Sequence, residues 1–348
     1  MVKTKKATLT EVAKLAGVSR AAAGKALNGG SDKIGVGAEA RKRILSAAKA
    51  LNYQPNMAAQ ILAGGQSRLI GVFLDSHSNY RNVRLLQELE RLATAQGFRL
   101  ITSYSHDSIA NMREDYHSFQ RYGVVGFICL AHDYPNLKQE VIDLFTGSKN
   151  VVFMEPPCVP GMPYIRTSRV KALTELIADA VRMGYRRIGT MHKHHSALSE
   201  RILHEEFVQS MKNNGLKVDE RLVFEYPKTD DDDSCYRIRQ AFDRMILPYR
   251  PDFLYIDDAV NTITLRNLLF QSGLKLAIHG GNDDPLFKCI DVPSFDPGYE
   301  RQAAELLNLL LHPECRSDKP VIQAIYRTKF QSGISLLQKD TTNERNPK

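Results

Sequence analysis

The stretch TLTEVAKLAGVSRAAAGKALN, residues 8–28, constrains this chain more than any other, because it encodes two short helices separated by one glycine. Thr8 and Glu11 stand at capping-box spacing, so the hydroxyl and the carboxylate can each satisfy an amide that a helix's first turn leaves without a partner. Val12, Ala13 and Ala16 give a helix starting near Leu9 a single apolar stripe. Gly17 suits the left-handed conformation that ends it, and Ser19 can cap a second helix. On that second helix Ala23, Ala26 and Leu27 share a buried face, whereas Arg20, Ala21, Gly24, Lys25 and Asn28 fall on the other. The layout is that of a helix-turn-helix, whose second helix is free to enter a major groove; two capped helices alone also describe an ordinary helical hairpin.

Charge decides between these two. Residues 1–68 carry twelve Lys or Arg against three acidic residues, a net of +9, while the whole chain is +8, so residues 69–348 are close to neutral. A positive excess confined to one small, periodically apolar segment is the footprint of a module that binds a polyanion. A third helix is expected over residues 38–51, with Ile44, Leu45, Ala48 and Leu51 closing a three-helix headpiece and Arg41, Lys42, Arg43 and Lys49 on its polar side. Pro55 breaks the chain, Asn56 can cap a short helix over 57–62, and Gly64-Gly65 ends it. Barely two turns of helix are marginal alone, so this element needs a partner or DNA to order it.

The remaining 280 residues or so suit a two-lobed α/β unit. Strand-like segments LIGVFL (69–74), FRLITSY (98–104), VVGFICL (124–130), NVVFM (150–154), RRIGTM (186–191), DFLYI (252–256) and LKLAIHG (274–280) alternate with amphipathic helical ones, among them 83–95, 173–183, 203–213 and 300–311. That rhythm predicts parallel sheets with helices on both faces.

TLTEVAKLAGVS (8–19), LN (27–28), LNYQPN (51–56), AQILAGGQS (59–67) and IGV (70–72) together make the chain resemble bacterial transcriptional regulators of the lactose/galactose repressor (LacI/GalR) family. MGYRRIG (183–189) and RYGVVGFICL (121–130) extend the likeness, more weakly, into the core. The resemblance implies an all-α helix-turn-helix headpiece (1–55) and a hinge helix with its linker (56–68). It further implies a core (69–348) of two Rossmann-like lobes, similar to a type I periplasmic binding protein and crossed three times by the chain. One lobe would comprise about 69–166 and 296–327, and the other about 167–295 and 328–348. In the family the hinge helix pairs with its dimer mate in the minor groove, and a leucine at the position of Leu62 is wedged between base pairs; an apolar wedge of this kind unstacks a step and kinks the duplex. The DNA-contacting set is then Thr8, Ser19, Arg20, Ala21, Gly24, Lys25, Asn28, Asn56, Ala59 and Leu62.

The recognition helix departs from the family pattern: Ala22 and Gly24 replace a threonine and a serine that touch phosphate, and Lys25 replaces an arginine. Arg20 is left as the candidate for a bidentate guanine contact, with Ala21 able to meet a thymine methyl. The cleft departs further. Leu203 stands where an arginine commonly anchors the ligand, and Arg201, two residues away, points to another side of the helix. Asp257-Asp258 replaces an Asn-Asp pair, Asn282 and Asp283 fall at a ligand-facing Asp-Asp, and Asp296 replaces a glutamine; Asp75, Ser76 and Asn79 follow the first strand. The effector set is therefore Asp75, Ser76, Asn79, Arg201, Leu203, Asp257, Asn282 and Asp296, an acidic cleft without its arginine. Three readings stay open: a neutral, sugar-like ligand, a cationic ligand, or an effector site that has been lost.

Other features are read as structural. His192, His194 and His195 lie close together, but no Cys or carboxylate accompanies them at ligand spacing, so no metal site is expected. The acidic run 230–233 reads as a solvated turn, and Gly280-Gly281 as a tight turn. Five scattered cysteines without CxxC spacing suit a reducing cytoplasm. There is no apolar run long enough for a membrane span, no signal-peptide core, no catalytic triad and no Walker loop, so neither a cofactor nor an enzymatic role is expected. The segment KDTTNERNPK (339–348) lacks leucine heptads, which favours a dimer over a tetramer. The expected function is a homodimeric repressor of a metabolic operon, cytoplasmic, binding a pseudopalindromic double-stranded operator under control of a small-molecule effector such as a sugar. The alternatives are an effector-independent DNA-binding regulator with a degenerate cleft, and a ligand-binding protein with a vestigial headpiece.

Overall fold

The structure, a computed structural model, describes residues 7–27, 36–54, 67–74, 80–104, 108–132, 134, 137–194, 202–227, 234–315 and 321–325. The chain divides into two compact units, Met1–Arg68 and Leu69–Lys348.

In the first unit α1 (Leu9–Ala16), α2 (Arg20–Leu27) and α3 (Ala38–Ala50) enclose Val12, Ala13, Ala16, Ala23, Ala26, Ile44, Ala47 and Ala48. Six of these eight are alanine, so the helices can approach closely around Val12 and Ile44. Leu45, expected to face the core, is about half exposed and Ala47 takes its place. The reason is angular: 44, 47, 48 and 51 keep the i, i+3, i+4, i+7 spacing of one face, and residue 45 lies about 100° around the helix from it.

Among the described residues the second unit holds two wholly parallel sheets. The first carries β1 (Leu69–Leu74), β2 (Arg99–Tyr104), β3 (Gly126–Cys129), β4 (Val151–Met154), β5 (Tyr164–Ser168) and β10 (Val321–Gln323) in the order β10-β5-β4-β3-β1-β2. The second carries β6 (Ile188–His194), β7 (Val223–Pro227), β8 (Phe253–Ile256) and β9 (Ala277–Gly280) in the order β7-β6-β8-β9. Continuous apolar runs such as IGVFL are buried throughout, as strands covered on both faces require. Against one face of the first sheet pack α4 (Tyr80–Ala95) and α12 (Tyr299–Leu311), through Leu85, Leu89, Leu306 and Leu310; against the other pack α5 (Ile109–Arg121) and α6 (Lys138–Phe145), through Met112, Phe119, Val141 and Phe145. The second sheet is covered by α7 (Val170–Arg182) and α8 (Ile202–Asn213) on one face. Its other face holds α9 (Ser234–Ala241), extended through a π segment to Tyr249, and α10 (Ala259–Ser272). The short helix α11 (Pro285–Cys289) follows β9 and buries Phe287 in the same cluster.

Every strand expected from the apolar runs is present, with ends shifted by at most three residues. Beyond them lie β5, β7 and β10, whose sequences YIRTS, VFEYP and VIQ carry too few apolar residues in sequence to stand out. Passage from the first sheet to the second follows β5, and the return comes between Ser294 and α12. The third crossing implied by the resemblance would lie after Ile325, outside the described residues.

Candidate nucleic-acid interface and ligand cleft

The caps that define the headpiece form as their spacing dictates. Glu11 N–H donates to the Thr8 hydroxyl oxygen at 3.3 Å, Thr8 N–H donates to the Glu11 carboxylate at 2.7 Å, and Gly17 closes α1 with φ +65°. The Thr8 hydroxyl also donates to Glu11 at 3.0 Å, so its proton is committed within the helix. Ala22 N–H donates to the Ser19 hydroxyl at 3.2 Å, which fixes the first turn of α2 and leaves the hydroxyl proton for an outside acceptor. With Ala23 and Ala26 buried, α2 exposes Arg20, Ala21 and Lys25 together. Lys14, Lys42, Arg43 and Lys49 are exposed on the other two helices. Gly24 does not share that open face: it is half-buried, and a Cβ built on it would meet Leu9 Cδ2 at 3.5 Å. The remaining expected contacts, Asn28, Asn56, Ala59 and Leu62, lie outside the described residues.

In the second unit, polar groups that follow the strands gather where an open parallel sheet presents its ligand site. The Arg81 guanidinium, at the start of α4, pairs with Glu155 at 2.9 Å. Glu155 follows β4 with φ +68°, a left-handed conformation costly for a residue with a Cβ, and also accepts from Thr167 N–H at 3.4 Å. Arg169, directly after β5, is buried between Asp257 (Nε to Oδ1, 3.5 Å) and Glu206 (Nη1 to Oε2, 3.8 Å). Tyr255 donates its hydroxyl proton to Asp257 at 2.9 Å, and Tyr299 donates to the Asn282 carbonyl at 2.6 Å. Arg166 stands 3.6 Å from Glu206, whose two oxygens are buried without a hydrogen bond.

Burial alone would neutralise this cluster, and the pairing decides otherwise. For Asp257 burial pushes the carboxyl up, but Arg169 and then Arg81 outweigh it and hold it below the usual carboxylate range. For Arg169 burial works against the charge and Asp257, Tyr255 and Glu206 restore it, leaving the guanidinium more firmly protonated than normal. Glu206 is raised, because burial exceeds what Arg169 returns. The cluster is an alternating array of cations and anions rather than a purely acidic wall.

That corrects one expectation and refines others. The polar cluster contains a buried arginine, Arg169, supplied by the β5–α7 junction rather than by α8. It escaped notice because YIRTSR offers no apolar run to announce a strand, and the side chain is brought to Asp257 by the fold, not by spacing. Leu203 is half-buried on α8. Asp257 is part of the ion array, whereas its neighbour Asp258 is the N-cap of α10, accepting from Asn261 N–H at 2.7 Å. Asn282 is buried and its amide oxygen accepts from Asp284 N–H at 3.3 Å; Asp296 accepts from Gly298 N–H at 2.9 Å just before α12. These two shape the turns in which they sit. Asp75, Ser76, Asn79 and Arg201 lie outside the described residues.

Residues 8–56 match the model of the family described as "Bacterial regulatory proteins, lacI family". The chain is 30% identical over 182 residues to the sucrose operon repressor of Klebsiella pneumoniae, covering 51% of this chain and 52% of that one. It is 35% identical over 175 residues to the ribose operon repressor of Bacillus subtilis (strain 168), covering 50% and 51%. The chain thus spans about half the length of the curated relatives it matches. Among solved structures, a lac repressor dimer bound to operator and the anti-inducer ONPF superposes with TM-score 0.72 at 20% identity, over 92% of this chain and 97% of that one. A transcriptional regulator CelR–cellobiose complex superposes with TM-score 0.60 at 18% identity, over 92% and 98%. Residues 8–56 thus match the lacI-family headpiece, and the chain as a whole shares the fold of these solved regulators.

Proposed function

We propose that this chain is a homodimeric, sequence-specific DNA-binding transcriptional repressor whose core answers to a small polar effector. The observation that carries the reading is α2: Ser19 caps its first turn, it buries Ala23 and Ala26, and it turns Arg20, Ala21 and Lys25 outward on a unit of net charge +9. Arg20 reads a guanine edge, Ala21 packs on a thymine methyl, and Lys25 with the exposed Lys42 and Arg43 neutralises phosphate. Names of relatives point the same way, since two are operon repressors for sucrose and ribose. One solved structure of the same fold is a lac repressor dimer bound to operator. A twofold dimer would match a pseudopalindromic operator.

The effector site of this reading is the array of Arg81, Glu155, Arg169, Glu206 and Asp257, whose donors and acceptors alternate as hydroxyl groups of a neutral ligand require. A second reading, regulation without an effector, draws on the same array, because Asp257 and Arg169 already satisfy each other. Selection of bound sequences from random DNA by the purified chain tests the main reading. A motif with a central dyad is expected, and failure of any sequence to enrich would refute it.

A further inference from the structure

A second cluster of ligating side chains lies at the edge of the second sheet. His192 on β6 and Glu225 on β7 are register partners, and the imidazole Nε2 stands 3.0 Å from the carboxylate. From α8, His204 reaches the same spot, its ring centroid 6.1 Å from that of His192. One ligating atom from each of the three lies within 4.8 Å of the others. We propose that His192, His204 and Glu225 form a binding site for a divalent first-row transition metal ion, with zinc as the reference ion.

Four features support the assignment. Two imidazoles and one carboxylate are the donor set that transition ions prefer over magnesium or calcium. His204 Nδ1 is buried and has no hydrogen-bond partner among the described residues, a costly state that a bound ion relieves. His192 has an outer partner on its ring, the Thr190 hydroxyl 3.3 Å from Nδ1, in the manner that orients metal-ligating histidines, and the Glu220 carboxylate stands 3.6 Å from His204 Nε2. Glu225 sits on the edge strand with about a fifth of its side chain exposed, which gives an ion a way in from solvent. Side-chain rotation has only to draw the three donors to about 2.0–2.2 Å from a common centre. Sequence spacing hid the site, since its ligands come from β6, α8 and β7 and not from the adjacent histidines.

The test is titration of the full chain, stripped with a chelator, with zinc sulfate by calorimetry and with cobalt sulfate by visible absorption. The expected result is one equivalent bound at micromolar or tighter affinity. Cobalt d–d bands should appear and then be displaced by zinc. Glu225→Gln, a near-isosteric change on a partly exposed side chain, and His204→Gln should each weaken binding at least about tenfold. His312→Gln, at an exposed histidine, should leave it unchanged. Circular dichroism verifies that each variant is folded. Absence of stoichiometric binding by the parent chain, or binding that survives Glu225→Gln unaltered, would overturn the proposal.

Discussion

Replacing Arg169 by methionine removes the cation that holds the cleft array together while keeping most of its apolar stem. At 3.5 Å from Asp257, and with a fifth of the aspartate side chain exposed, the pair attracts by about 5 kcal/mol at an effective dielectric of 20. Desolvating both ions offsets much of that, so the pair itself adds little. Removing one partner is different, because Asp257 is then left largely buried with the Tyr255 hydroxyl and the remaining pull of Arg81, and Glu206 with Arg166 at 3.6 Å. Arg169→Met should therefore cost about 3–5 kcal/mol. Asp257→Asn added to it should recover part of the loss, giving a coupling of about 2 kcal/mol in a double-mutant cycle read by urea unfolding. The pH dependence has a definite sign. In the parent chain the Asp257 carboxyl is depressed, so its contribution is present above the unfolded value near 3.8 and is lost as pH falls through the folded value. Without Arg169, burial dominates and the carboxyl is raised instead, so the penalty of Arg169→Met should shrink between pH 7 and pH 5. Additive single effects within about 0.5 kcal/mol, with a penalty that does not change with pH, would refute the array as described.

Three further outcomes follow from single sites. His279 is buried beside Phe295 with its Nδ1 against the Gly280 carbonyl, and burial outweighs that contact to push the imidazole down to about 3. Its contribution is full above the unfolded value of 6.5 and is lost as pH falls, by about 2 kcal/mol between pH 7 and pH 5; in His279→Leu the urea midpoint should lose correspondingly less over that range, and an identical loss would contradict the assignment. Gly24→Ala should stabilise α2 by up to about 1 kcal/mol, since the new methyl meets Leu9 at an ordinary 3.5 Å; amide exchange of residues 20–27 should slow about fivefold, and faster exchange would show that the space is not there. Gly189→Ala should destabilise the second sheet by about 1–3 kcal/mol, because its Cβ would lie 2.5 Å from the Leu222 carbonyl oxygen on the neighbouring connection; an unchanged thermal midpoint would contradict the packing.

What could be read in the sequence was local. The Thr8–Glu11 box, the Gly17 turn and the Ser19 cap are each settled within three or four residues, and all three form. The apolar strands β1, β3, β4 and β8 were legible because both faces of a parallel sheet are covered, which makes their runs continuous. Strand β5 was not, because only three of its five residues are well buried and an arginine sits in its middle. The site residues missed, Arg169, Glu206, His204 and Glu225, are polar side chains made meaningful by partners 12 to 88 positions away. Asp258 and Asp296 show the converse: a carboxylate beside or among the expected effector residues also serves a helix cap or a turn, which composition does not disclose.

The central claim, that α2 reads sequence, is tested most directly by fluorescence-anisotropy titration of the parent chain and Arg20→Ala. The duplexes are the dyad recovered by selection and a scrambled one of equal composition, each measured over a series of salt concentrations. The parent chain should prefer the dyad by a factor of about 10³ or more, with log affinity falling against log salt by about 0.9 per phosphate neutralised. Arg20→Ala should lose about ten- to a hundredfold on the dyad and little on the scrambled duplex. Equal losses on the two duplexes, or no preference by the parent chain, would contradict the account.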